Sequence, residues 1–194
     1  MTGEPVHFDS SGEAVHLQPR RADARRNRDK ILAAARAAFD EGGETSMAEV
    51  ARRAGVGMAT LYRNFPGRRE LLEAVYADKV AAVRDAGCAA AHHPDPGAGL
   101  RDWLEEFFVF ARTKHLVAEE LLETGDAVLS ESKAAIFAVG RPLVAAAQEA
   151  GTVRADLTLD QVLHLIVAVA GIPAPDDVVR PILRAALDGL SGPG

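Results

Sequence analysis

Between residues 57 and 65 the chain reads Gly57-Met58-Ala59-Thr60-Leu61-Tyr62-Arg63-Asn64-Phe65. Coiled as a short helix, this stretch puts Leu61 and Phe65 on one face, four residues apart and fit for burial. The opposite face then offers Gly57, Met58, Thr60, Tyr62, Arg63 and Asn64. Hydroxyl, guanidinium and amide groups in such an array can bind phosphate oxygens and base edges, and a helix of this width enters a major groove. Gly67-Arg68-Arg69 follows, placing two cations at the start of the next helix, where free amides and the helix dipole attract phosphate. Arg63 in this set can read a guanine or hold a phosphate.

Those side chains need a short helix held at a fixed angle to another. Ser46-Met47-Ala48-Glu49 is a capping-box pattern that opens a helix over Met47–Ala54, with Val50 and Ala51 inward. Ser46 at its start belongs with the candidate contact residues. Gly55-Val56-Gly57 breaks the chain: Gly55 supplies the positive φ of a sharp turn, while small Ala51 and Ala54 let the two helices approach. Ahead of them, from about Arg21, the apolar residues Ile31, Leu32, Ala35, Ala38 and Phe39 recur at helical spacing until Gly42-Gly43. The helix over Met47–Ala54, the three-residue turn and the short helix from Met58 are a helix-turn-helix arrangement.

At these residues the chain resembles a known family. Gly55-Val56-Gly57-x-x-Thr60-Leu61-Tyr62-x-Asn64-Phe65-x-Gly67-Arg68-x-x-Leu71 is similar to the signature of the TetR/AcrR family of bacterial transcriptional regulators, and the match extends back to Ile31. The later turn Glu149-Ala150-Gly151-x-Val153-Arg154-x-Asp156 resembles the family more loosely. The resemblance implies a homodimer whose amino-terminal module binds a double-stranded, palindromic DNA operator. It further implies a helical body that takes a small-molecule effector and thereby lowers DNA affinity. It places Thr60 and Tyr62 on phosphate, Gly57 and Met58 near bases, and Arg68 on the DNA backbone. Position 57 is Gly where family members often carry Ser, which removes one hydroxyl.

Charge is distributed to match. The 194-residue chain carries a formal net charge of −6, yet residues 20–69 are net +6, residues 1–19 net −3 and residues 70–194 net −9. A basic module on an acidic body is expected where one end meets phosphate and the other does not. Arg20, Arg21, Arg25, Arg26 and Arg28 are either a solvated face or a phosphate-seeking arm. With 48% hydrophobic and 26% charged residues the composition is that of a globular protein, not a disordered or collagen-like chain. A lone cysteine, Cys88, fits a reducing cytoplasm, and residues 1–19, with Glu4, Asp9 and Glu13 but no apolar run, read as a mobile tail with no export or transit signal. The longest apolar stretch, Val162 to Ile172, is 11 residues and includes His164; a bilayer needs about 20.

The expected fold is all-α: residues 20–67 as a three-helix DNA-binding domain and residues 68–194 as an effector-binding and dimerisation bundle, about nine helices in all. A fourth helix runs from Arg68 to about Ala91, ending at His92-His93-Pro94-Asp95-Pro96-Gly97. Helical segments follow over Leu100–Lys114, Leu116–Thr124, Ser130–Ala150, Leu159–Ile172 and Asp177–Leu190, with Pro142 expected to kink or break its helix. Val162, Ile166 and Val169 belong to a helix apolar all round, which must be covered on every side, and Leu183, Leu187 and Leu190 give its successor a companion stripe. These six are the candidate dimer face. Trp103, Phe107, Phe108 and Phe110 either line a cavity or pack the core; Trp103, Phe107 and Phe110, with Phe137 and His164, are the candidate effector contacts. Cys88, His92, His93 and Asp95 invite a metal reading, but adjacent histidines at a helix end suit tetrahedral ligation poorly. Glycine-rich phosphate loop, nucleophile elbow and HExxH pair are all lacking in the sequence, so neither catalysis nor a cofactor is expected. The alternatives are an effector-independent DNA-binding factor and a helical metal-dependent enzyme.

Overall fold

The computed structural model describes residues 18–40, 45–122 and 127–192. Among them are eight helices: α1 (Gln18–Asp40), α2 (Met47–Ala54), α3 (Met58–Asn64), α4 (Arg68–Ala90), α5 (Pro96–Leu122), α6 (Ala127–Glu149), α7 (Leu159–Ala170) and α8 (Asp176–Asp188). The chain divides into two compact units, Met1–Leu71 and Leu72–Gly194. No helix among the described residues is long and apolar enough to cross a membrane.

In the first unit α1 packs against α2 and α3, which also pack on each other. The spacing of Ile31, Ala35, Ala38 and Phe39 puts them on one stripe of α1, and all four are buried, with Val50 and Ala51 of α2, Leu61 of α3 and Phe65, which caps it. Burying a large apolar side chain stabilises a fold by about 1.5–3 kcal/mol, so Leu61 and Phe65 fix one face of α3 and leave the other to solvent. α1 already includes Gln18 and Pro19, two residues expected in the tail. Residues 1–17 and the Gly42-Gly43 stop lie outside the described residues.

In the second unit α5 packs on α6 and α7, and α7 on α6 and α8. Trp103 is fully buried; its indole Nε1 donates to the Val83 carbonyl at 3.1 Å. Two glycines make room for it: a Cβ on Gly140 would stand 2.4 Å from the indole, and one on Gly87 would stand 2.0 Å from Val139 and 3.1 Å from the indole nitrogen. α7 opens with a reciprocated capping box, Thr158 accepting from the Gln161 amide while the Gln161 side chain accepts from the Thr158 amide. At its other end Arg112 donates to the carbonyls of Ala170, Ile172 and Ala174 at 3.0–3.3 Å and pairs with Asp176, tying the α7–α8 turn to α5.

The two expected segments over Leu100–Lys114 and Leu116–Thr124 are one helix, α5, because only His115 separates them and no glycine or proline stops the coil. Its start lies inside the expected loop: Pro96 takes the first position, where its missing N–H costs nothing, and the Asp95 carboxylate accepts from the Gly97 and Ala98 amides. Pro142 does not end α6, which runs on to Glu149.

Candidate nucleic-acid interface and effector cavity

Ser46 caps α2 from an extended conformation, its Oγ accepting from the Glu49 amide at 3.2 Å. The expected reciprocal bond from Glu49 is not made. Its carboxylate instead accepts from Arg52 at 2.7 and 2.8 Å and from Arg53 at 2.7 Å, and these guanidinium groups, Arg52 foremost, hold its pKa down to about 2. Two cations near the turn outbid one backbone amide for a charged acceptor. Gly55 then sits at φ +65, and the Gly55 and Val56 amides close the last turn of α2 on Arg52 and Ala51 carbonyls. No Cβ is excluded there by crowding, so it is the left-handed backbone that selects glycine.

α3 follows, with Gly57 at its cap accepting from the Thr60 and Leu61 amides. Its outer face is open: Tyr62 is 47% exposed and Met58 39%, with Gly57, Ala59 and Arg63 exposed beside them. Arg63 donates to the Thr60 hydroxyl at 2.9 Å, which holds the guanidinium along the same face. Three expected contact residues are engaged within the unit. The Asn64 side-chain amide is half-buried and donates back to the Thr60 carbonyl at 2.8 Å. Arg68 is half-buried, donates to the Thr45 carbonyl and stands 5.5 Å over the Phe39 ring, so that it braces α4 against the loop before α2. Ser46 is exposed, and because its oxygen only accepts in the cap its O–H proton remains available to a donor contact. Arg28, one of the ambiguous amino-terminal arginines, lies 4.4 Å over the Phe65 ring and donates to the Asn64 carbonyl, fixing the end of α3. Sequence reasoning had no means to pair residues 36 positions apart.

The second unit contains a cavity of about 350 Å³. Phe107, Phe110 and Ala111 of α5 line it with Tyr76 of α4, and the rings form a continuous wall: Tyr76 to Phe110 5.7 Å, Phe110 to Phe107 5.9 Å. α6 adds Ser130, Lys133, Ile136 and Phe137, and α7 adds Asp160, Leu163, His164 and Val167. Burial pushes the Tyr76 phenol up, against the bond it makes with the Ser132 side chain. Four of the expected effector contacts, Phe107, Phe110, Phe137 and His164, therefore meet at one space. Trp103 does not: it stacks behind Phe107 at 6.1 Å, inside the core, because its indole nitrogen is satisfied by Val83. Tyr76, Ser130 and Lys133 were not anticipated; Ser130, Lys133 and Phe137 at three- and four-residue spacing were the available sign that one face of α6 is shared.

The six expected dimer-face residues, Val162, Ile166, Val169, Leu183, Leu187 and Leu190, are all buried within the protomer. An all-round apolar helix does not say which of its sides faces its own core. The large apolar groups left open on α7 and α8 are Leu165, Val167, Val178 (49% exposed) and Ile182 (41%). As for the metal reading, His92 Nδ1 is bonded to the Cys88 carbonyl and His93 Nδ1 to the Asp95 backbone, and no group of three metal-ligating side chains occurs among the described residues.

Residues 31–75 match the model of bacterial regulatory proteins of the tetR family, and residues 95–192 match that of the SbtR-like transcriptional regulator C-terminal domain. The chain belongs to the TetR family. It is thus a DNA-binding transcriptional regulator, and its helix-turn-helix is the family's amino-terminal module. Among solved structures, a TetR regulator from Streptomyces coelicolor is 33% identical with a TM-score of 0.74, over 86% of this chain and 99% of that one. A TetR regulatory protein from Mycobacterium vanbaalenii is 34% identical with a TM-score of 0.69, over 89% and 99%. The TetR-like regulator LfrR from Mycobacterium smegmatis, solved in complex with proflavine, shares the fold at 22% identity and a TM-score of 0.62, over 86% and 94%. No curated protein matches the chain.

Proposed function

We propose that this TetR-family regulator is a homodimeric repressor that reads a palindromic operator through the outer face of α3 and leaves it when a small molecule fills the cavity of the second unit. The observation that carries the reading is the exposed array on α3. Tyr62 and Arg63 stand open beside Gly57 and Met58, while Leu61 and Phe65 are fixed in the core behind them. In this reading Tyr62, Thr60 and Ser46 take phosphate, Met58 and Gly57 lie against base edges, and Arg63 reaches a guanine or a phosphate. Arg68 and Asn64 serve by holding the module in shape.

The aromatic cavity supports an effector, since a body without internal space would favour a factor that responds to none; LfrR, with the same fold, holds proflavine. α4 carries Arg68 in the first unit and Tyr76 on the cavity wall in the second. A ligand that moves Tyr76 therefore acts on the helix that opens beside the DNA-reading module. Coupling free energies between two such sites are typically about 1–3 kcal/mol. Leu165, Val178 and Ile182 are the groups on which two copies would meet. The reading places residues 20–67 on DNA and residues 68–194 in effector binding and dimerisation, without catalysis, in the bacterial cytoplasm.

Selection of random duplex DNA by the purified chain tests this. Enrichment of an inverted repeat with half-sites about one helical turn apart, or a multiple of it, is expected for a two-fold pair of recognition helices. Recovery of no common sequence would refute it.

A further inference from the structure

The cavity's wall is aromatic, and its charges are unequal in how they are used. On α7 the Asp160 carboxylate lies 3.1 Å from His164 Nδ1, which also bonds the Asp160 carbonyl at 2.7 Å, so the imidazole holds this carboxylate along its own helix. On α6 the Lys133 ammonium has no carboxylate partner among the described residues; it stands 5.3 Å over the Phe137 ring. Ser130, one turn earlier on the same face, adds a hydroxyl beside it. A cavity of about 350 Å³ is at the small end of the range for ligand sites.

We propose that the effector is a planar one- or two-ring aromatic acid. Its ring packs against Phe107, Phe110 and Phe137, and its carboxylate meets Lys133 and the Ser130 hydroxyl. This rests on the effector-responsive reading above and adds the chemical class of the ligand. Ring faces prefer offset or edge contacts with the tilted phenyl groups, and a carboxylate on the Lys133 ammonium makes a charge-assisted hydrogen bond.

The test uses the full chain and two matched pairs, benzoate with benzamide and 2-naphthoate with 2-naphthamide, titrated by calorimetry at neutral pH. In at least one pair the acid is expected to bind about tenfold tighter than its amide, the size of one charged hydrogen bond. Lys133→Met, at an exposed position, should bring the affinities of acid and amide together, and Lys133→Arg should restore the preference. Equal binding of acid and amide, a preference that survives in Lys133→Met, or no binding of either acid overturns the proposal. Operator titration of the same preparation separates the two levels: a chain that binds its operator but fails these criteria loses only the ligand class, and one that binds no operator loses the regulator reading.

Discussion

At Glu49 one carboxylate holds two guanidinium groups, and the consequence is a pH dependence that can be signed. Its pKa lies near 2 against an ordinary 4.5, so the ionised form is the one the folded helix favours. A depressed carboxyl contributes stability above its unfolded value, and that contribution fades as pH falls through the folded value. Glu49→Gln should therefore lower the melting temperature at neutral pH. The gap should begin to shrink below about 4.5 and vanish near 2; scanning calorimetry of both forms across that window checks it, and a gap independent of pH would contradict the account. The same residue shows what sequence resolves and what it does not. Ser46 three positions before Glu49 announced the helix start correctly, but which partner the carboxylate takes depends on Arg52 and Arg53 swinging back one turn, a competition spacing alone does not decide.

Among the elements, the first three helices and their turn were legible because each boundary has a local cause: a capping serine, a glycine at positive φ, a proline after Phe65. α5 was expected as two segments although no glycine or proline separates them, and α7, apolar on more sides than one, does not tell in sequence which of its sides faces its own core. Helix-to-helix fit is equally silent in sequence. Nothing in the sequence says that a Cβ on Gly140 would meet the indole of Trp103, or one on Gly87 the side chain of Val139. Replacing Gly140 with Ala should gain about 1 kcal/mol of helix propensity. It should nonetheless lose about 1–3 kcal/mol to overpacking against a ring that cannot retreat. The predicted outcome is a lower melting temperature by thermal denaturation; a rise would show that the indole can shift at little cost.

A palindromic operator takes two copies of the protein, one on each half-site. The face proposed for their meeting centres on Leu165, Val178 and Ile182, apolar groups that a lone protomer leaves in water. Leu165→Glu together with Ile182→Glu should yield a folded monomer in sedimentation velocity, since a two-fold contact brings each new charge near its copy; a dimer unchanged by both would place the contact elsewhere. Contact between the outer face of α3 and DNA is read by an anisotropy titration of Tyr62→Ala and Arg63→Ala on the selected operator, repeated over a range of salt. Loss of a guanine contact at Arg63 should cost about 1–3 kcal/mol and relax preference at one base pair, whereas loss of a phosphate contact should weaken all sequences and flatten the salt slope by about one per contact. Affinity and slope indistinguishable from the parent in both variants would mean that α3 does not enter the groove.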